Sequence, residues 1–312
     1  VKNEIQNPIK TWENEVIEIA NRIRIRVLEH TINNNGGYMS QACSSAEIFA
    51  TFYTKILNIG ESIAPFIPEP FKGVPGIYNP NYETGGLYNG PKNNDFDRLI
   101  FSPSHYALVL YATLIETGRM SPEGLAQFNQ DGSTVEMIGA EHSPGCEITS
   151  GSLGTGLSQA VGIATARKRN GEKGRVFVFL SDGEFHEGQV WEAIAFMSHN
   201  SLDNMITYVD INGQCCDGRI DDVMTIDPIE DRITAFGGEV VSVNAHDPGE
   251  LYKASLLSNK GKPVFVLSYS NPTQGLDLLA NRAPKLHYLR FQNDEEKNLY
   301  KKELNRLMLS GK

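Results

Sequence analysis

Between residues 175 and 269 four short apolar runs, RVFVFL, MITYVD, EVVSV and PVFVLSY, alternate with helical segments such as QVWEAIAFMSHN and DPGELYKASLLS. This alternation constrains the chain more than any other feature. A strand followed by a helix returns to start the next strand in the same direction. The pattern therefore predicts an α/β fold with a mostly parallel central sheet flanked by helices on both faces. Ligands of such sheets sit outside the carboxyl ends of the strands. Two ends stand out: RVFVFL empties into Ser181-Asp182-Gly183, and MITYVDI ends at Asn212-Gly213.

The rest of the chain fits this frame. Trp12, Val16, Ile19, Ala20, Ile23 and Val27 recur at helical spacing and predict an amphipathic helix with a core-facing stripe. A second helix is expected from about Ser44-Ser45 through AEIFATFYTKIL. Residues 59–97, rich in Pro, Gly, Asn and aromatics, have no period and read as one long, ordered loop insertion. RLIFS is strand-like, and HYALVLYATLIETG is helical. SLGTGLSQAVGIATARKRNG is a small-residue helix stopped at Gly171. A charged surface helix is expected over about 294–310. With no internal repeat and no linker, 1–312 reads as a single domain.

The formal charge of −10 argues against nucleic acid and against an anionic membrane surface, since both need a cationic footprint. No apolar run approaches the roughly 18 residues of a membrane span, and the polar N-terminus lacks the apolar core of a signal peptide. A cytoplasmic location is expected. The four cysteines form no C-x-x-C pair and read as reduced thiols. Only Cys215, just past the Asn212 turn, is placed to line a site.

Asp182 offers an anionic oxygen and Asn212 a neutral one, with turn carbonyls beyond. Oxygen-only donors suit Mg2+ or Ca2+ rather than zinc. One carboxylate is too little charge to hold Mg2+ alone, so the chemistry asks for a phosphorylated cofactor. Helices starting near Ser152 and Gly188 could aim N–H groups at its phosphates. Taken alone, Asp-Gly after a strand is most often a turn. GSLGTGLSQ is no dinucleotide fingerprint, because Gln159 stands where glycine is required, and there is no G-x-x-x-x-G-K-[ST] loop.

Asp-Gly, a gap of about thirty residues and Asn at the next strand end resemble the thiamine diphosphate motif. With "SPSHYALVLYATL", "ITSGSLGTGLSQAVGIATARK" and "SDGEFHEGQVWEAIAFMSHNSLDNMITYVDINGQCCDG", the chain resembles the diphosphate-binding half of the transketolases over roughly residues 14–290. The resemblance implies the thiamine diphosphate-binding fold, with thiamine diphosphate held through Mg2+ (or Ca2+) by Asp182, Asn212 and the backbone carbonyl of Gln214. Gly183 would let the backbone approach the diphosphate. Glu184 would lend its N–H there, with a solvated side chain. Gly151 and Leu153 would pack near the aminopyrimidine. His105, His142 and His287 would line the substrate channel and trade protons with sugar hydroxyls. His30, His186, His199 and His246 carry no such match. The implied reaction moves a two-carbon ketol unit from a ketose or its phosphate to an aldehyde.

Two departures qualify the substrate. Tyr38 stands where the family has a histidine that touches the sugar, and the 59–97 loop could reshape the substrate mouth. The resemblance also stops short of the family's pyrimidine-binding domain. A second subunit would supply it, giving a heterotetramer of two chains each, with Glu187 at the interface. Related thiamine-dependent chemistry remains open beside ketol transfer: a 2-oxo acid decarboxylase, an acyl-transferring synthase or a 2-oxo acid dehydrogenase chain. So does a non-catalytic cofactor-binding subunit.

Overall fold

A computed structural model describes residues 11–310 apart from 75, 81 and 258–260. The polar first ten residues discussed above lie outside that range. Five strands, β1 (Arg98–Phe101), β2 (Val176–Ser181), β3 (Met205–Ile211), β4 (Glu239–Asn244) and β5 (Val264–Tyr269), form one parallel sheet in the order β1-β2-β3-β5-β4. All five apolar runs of the sequence are strands.

Their alternating side chains feed two cores. Phe101, Phe179, Tyr208 and Val266 pack against α1 (Trp12–Asn33), α2 (Met39–Thr51) and α3 (Ala107–Glu116). Ile100, Val178, Val209 and Leu267 face the other way, toward α4 (Thr155–Arg169), α5 (Gly188–His199) and α6 (Ile229–Ala235). A sheet covered on both faces has strands that read as continuous apolar runs, as these do.

Helix α2 begins at Met39, five residues before the position expected from sequence. All thirteen of its residues are buried, including Ser40, Gln41, Ser44, Ser45 and Glu47. A helix buried all round has no amphipathic stripe to announce it. Its polar residues face partners instead: Arg24 pairs with Glu47 inside the core, and Ser44 Oγ donates to Asp210 at 2.6 Å. Tyr38 stands at its N-cap. The C-terminal helix α7 (Asp294–Ser310) lies where expected, on α1, and its thin stripe, Tyr300 and Leu304, is buried.

The 59–97 segment is irregular, as read, apart from a short 3-10 turn at Gly85–Asn89 and an isolated bridge between Gly76 and Asn79. It is pinned to the body of the fold. Tyr53 OH donates to Asn89 Oδ1 at 2.7 Å, Gly85 N to Glu141 O at 2.7 Å and Phe71 N to Gly132 O at 2.8 Å.

Candidate active site

The sheet register sets the geometry. Ser181 of β2 lies opposite Asp210 of β3, so the two strands end level. Asp182, 1% exposed, reaches across the gap. Its Oδ2 accepts the N–H of Asn212 at 3.0 Å and of Gly213 at 2.7 Å, and its Oδ1 accepts that of Gly183 at 2.8 Å. Gly213 has φ +68°, the left-handed conformation that glycine reaches without cost. The two turns singled out in the sequence thus belong to one site.

Asn212 is held by its amide nitrogen, which donates to Tyr106 OH at 2.9 Å and to Asp210 Oδ2 at 3.0 Å. Its Oδ1 accepts the N–H of Gln214 at 2.8 Å. Asp210 is fully buried and also accepts from Ser44, Tyr106 and Ser270 hydroxyls. Sequence reasoning passed over it, although a lone acid inside an apolar run, TYVDI, was the signal that it was buried for a purpose.

Beside these turns opens a cavity of about 360 Å3. Gly151, Leu153, Gly183, Glu187, Asn212 and Gln214 line one part of it, and Tyr38, His105 and His287 another. His287 is distant in sequence, but Leu289 and Gly37 pair as strand residues and bring it in. The rings of Tyr38 and His287 are 5.5 Å apart, those of Tyr38 and His105 5.5 Å, and those of His105 and His287 5.0 Å. Burial, with His287 adding to it, pushes the His105 imidazole down to about 3. Burial also lowers His287, against the pull of Asp217, and raises the Tyr38 phenol, helped by Tyr288. At neutral pH the three present two neutral imidazoles and a neutral phenol. Cys215 lines the cavity too, and so does His186, whose Nε2 lies 2.6 Å from Met224 O.

Two expectations need correction. Glu184 is fully buried rather than solvated, and its carboxylate accepts four hydrogen bonds from Ser102, Gly154 and Ser181. Ser181-x-x-Glu184 is the capping-box pattern, which the sequence displayed. His142 is not among the residues lining the cavity. It lies against Phe71 of the long loop, ring centroids 4.4 Å apart, and 3.2 Å from Glu136. The turn before Gly145 is anchored to that loop, since Gly145 N donates to Gly85 O at 2.9 Å. None of the described residues of 59–97 lines the cavity either.

The donor set fits a hard cation with a diphosphate. Burial raises the Asp182 carboxyl well above its usual range, and neighbouring Asp210 adds to the rise. Neither acid has a Lys, Arg or His partner among the described residues, so the site is short of positive charge. Gln214 Oε1 is a buried acceptor with no hydrogen-bond partner. A Cβ on Gly183 would meet nothing within 4 Å, so the backbone there is open to a ligand. Among the described residues no group of three or more His, Cys, Asp or Glu could hold a metal, so the thiol- and imidazole-rich site of a zinc protein has no place here.

The sequence model described as transketolase, thiamine diphosphate binding domain, matches residues 86–268. The chain belongs to the transketolase family. The family places it among the thiamine diphosphate-dependent transferases. A transketolase family protein of Sinorhizobium fredii is 31% identical over 89% of this chain and 91% of its own length. A 6-deoxy-6-sulfo-D-fructose transketolase subunit of a Clostridium species is 30% identical over 80% of this chain and 82% of its own. Among solved structures, the transketolase of Campylobacter jejuni superposes with a TM-score of 0.71 at 22% identity, covering 95% of this chain and 47% of that one. The transketolase fold accounts for the parallel sheet and for the cavity at its carboxyl edge. Among the described residues no helix is long and apolar enough to cross a membrane.

Proposed function

We propose that this chain is the diphosphate-binding subunit of a two-chain, transketolase-like enzyme that moves a two-carbon ketol unit from a ketose to an aldehyde. The observation that carries the reading is the meeting of two strand ends, where Asp182 accepts the N–H groups of Asn212 and Gly213 beside a cavity lined by Tyr38, His105 and His287. Asp182, Asn212 and the backbone carbonyl of Gln214 would hold Mg2+ or Ca2+, and through it the diphosphate of thiamine diphosphate. Gly183 admits the phosphates at close range; Gly151 and Leu153 flank the rings. Bound there, the cofactor supplies the nucleophilic carbon and the electron sink for cleaving a bond next to a carbonyl.

The chain's own groups do the rest. His105 and His287, neutral at pH 7, would accept hydrogen bonds from the sugar hydroxyls, and the Tyr38 phenol would donate one to them. Glu187 stands at the N-cap position of α5, at the cavity edge, and would meet the partner. A second subunit carrying the pyrimidine-binding half agrees with the Clostridium relative, which is named a subunit and is of similar extent. That relative's sugar carries a sulfonate, which supports a ketose with an anionic end as donor here.

The test is reconstitution. The purified chain, with thiamine diphosphate and Mg2+, should show no ketol transfer alone and should gain it with a chain supplying the pyrimidine half. Full transfer by the chain alone refutes the two-chain reading. Turnover of a 2-oxo acid in place of a ketose refutes the ketol assignment.

A further inference from the structure

Glu184 is the least explained group near the cleft. Its side chain is fully buried and does not line the cavity, and its carboxylate has no cationic partner among the described residues. Such a group is costly unless its lone pairs are fully used. Here they are. Oε1 accepts from Ser102 Oγ at 2.5 Å and from Gly154 N at 2.9 Å. Oε2 accepts from Ser181 N at 2.9 Å and Ser181 Oγ at 3.3 Å. The donors come from three segments: the residue after β1, the last residue of β2 and the residue before α4.

These segments have little room to shift. Gly154 has φ +79°, and a Cβ on it would come 2.9 Å from Glu187 Cβ. A Cβ on Gly156 would come 2.3 Å from Ser102 Oγ. The start of α4 is thus pressed against β1 and the Glu187 turn, and Glu184 closes the triangle from inside.

We propose that Glu184 is a positioning residue that sets the width of the diphosphate cleft. It ties Gly154, beside Leu153 on one wall, to Ser181, beside Asp182 and Gly183 on the other. The walls are held apart at a fixed distance before the cofactor arrives, so binding spends no free energy on ordering them. This rests on the cofactor reading above.

The chemistry demands a carboxylate. Each Glu184 oxygen faces a backbone N–H, Gly154 on one side and Ser181 on the other. Hydroxyls can rotate, but these N–H groups cannot. A glutamine amide has one acceptor oxygen, so in either orientation its NH2 must face a fixed donor. Glu184→Gln, nearly isosteric, is therefore the sharp variant.

Three measurements decide it. In the full chain, amide exchange at Gly154 and Ser181 should rise at least about tenfold in Glu184→Gln, with Val178 and Val209 unchanged. Binding of thiamine diphosphate with Mg2+ is read from the fluorescence of Trp191, whose indole donates to Phe185 O at 3.0 Å in the same turn. Affinity should fall about 10–100-fold, the range seen when groups orienting a metal site are lost. With the partner present, the KM for cofactor should rise while kcat at saturating cofactor stays within about twofold, a split that a general loss of structure would not give. Should the glutamine variant not fold, Ser102→Ala keeps both backbone donors and should weaken cofactor binding only a few-fold. Unchanged exchange and affinity, or a kcat that falls with the affinity, overturns the tether. A wild-type chain that binds no thiamine diphosphate, alone or with its partner, overturns the cofactor reading instead, whatever Glu184 does.

Discussion

Asp210 accepts the side-chain amide of Asn212 at 3.0 Å, and Tyr106 OH takes the same nitrogen at 2.9 Å. Two acceptors on one NH2 group fix which way the amide faces, and so leave its oxygen on the turn side. Asp210→Asn replaces one carboxylate oxygen by a donor among groups that already donate to it. Cofactor affinity at limiting Mg2+ should fall about 10–100-fold. Thermodynamic stability should fall by about 1–3 kcal/mol, the cost of a mispaired buried polar group. A Mg2+ titration of cofactor binding, read alongside denaturant unfolding, checks both.

The metal itself is tested by exchange. Oxygen donors at Asp182, Asn212 and Gln214 suit hard cations. Removing divalent ions with a chelator should abolish cofactor binding, and either Mg2+ or Ca2+ should restore it. Asp182→Ala should not recover at any Mg2+ concentration, because it also frees the two N–H groups, of Asn212 and Gly213, that hold the Asn212 turn. Cofactor binding that survives chelation would argue against these ligands.

Tyr38 stands where the resemblance to the transketolases implies a histidine. Its ring stands edge-on to Tyr288, centroids 4.9 Å apart, and to His287 at 5.5 Å. Tyr38→His installs the residue that the resemblance implies, in a smaller volume, and exchanges a phenol for an imidazole. The ratio of kcat/KM between the native donor and an ordinary pentose phosphate ketose should shift about 10–100-fold toward the latter, the scale of one altered pocket contact. Competition assays measure that ratio directly; an unchanged value means Tyr38 does not read the sugar.

Much of this site was legible because its parts are local. Asp182-Gly183 and Asn212-Gly213 each follow an apolar strand, and parallel topology brings such ends together wherever the strands are neighbours. What escaped was non-local or masked. The early start of α2 was hidden because Ser40, Gln41 and Ser44 are buried by partners elsewhere in the chain. Asp210 read as part of a strand, and its role depends on Ser44, Tyr106 and Ser270, which no spacing connects. His142 sits in a motif-like stretch, but Gly85 and Phe71 of the long loop hold that stretch against themselves. Sequence order cannot show where a long irregular segment lays its aromatic rings.

Acid should destabilise the protein through its buried histidines. Burial pushes His30 down to about 4 and His105 to about 3. Between those values and the ordinary histidine range near 6.5 the unfolded chain binds more protons than the folded one. The stabilisation from keeping these rings neutral is complete above about pH 6.5 and is lost as pH falls through that value toward 4. His30, 8% exposed and set edge-on to Phe128 at 4.4 Å, makes the cleaner test because it lies outside the cofactor cavity. Its share is about 3 kcal/mol between pH 7 and pH 4, at roughly 1.4 kcal/mol for each tenfold loss of proton affinity on folding. His30→Gln keeps a polar group beside Asn34 but does not titrate. Its stability, measured by denaturant unfolding, should drop less steeply below pH 6.5 than that of the wild type, by about that amount at pH 4. Parallel curves across the range would mean that His30 gains its proton without cost in the folded state, and that its burial is not what the structure shows.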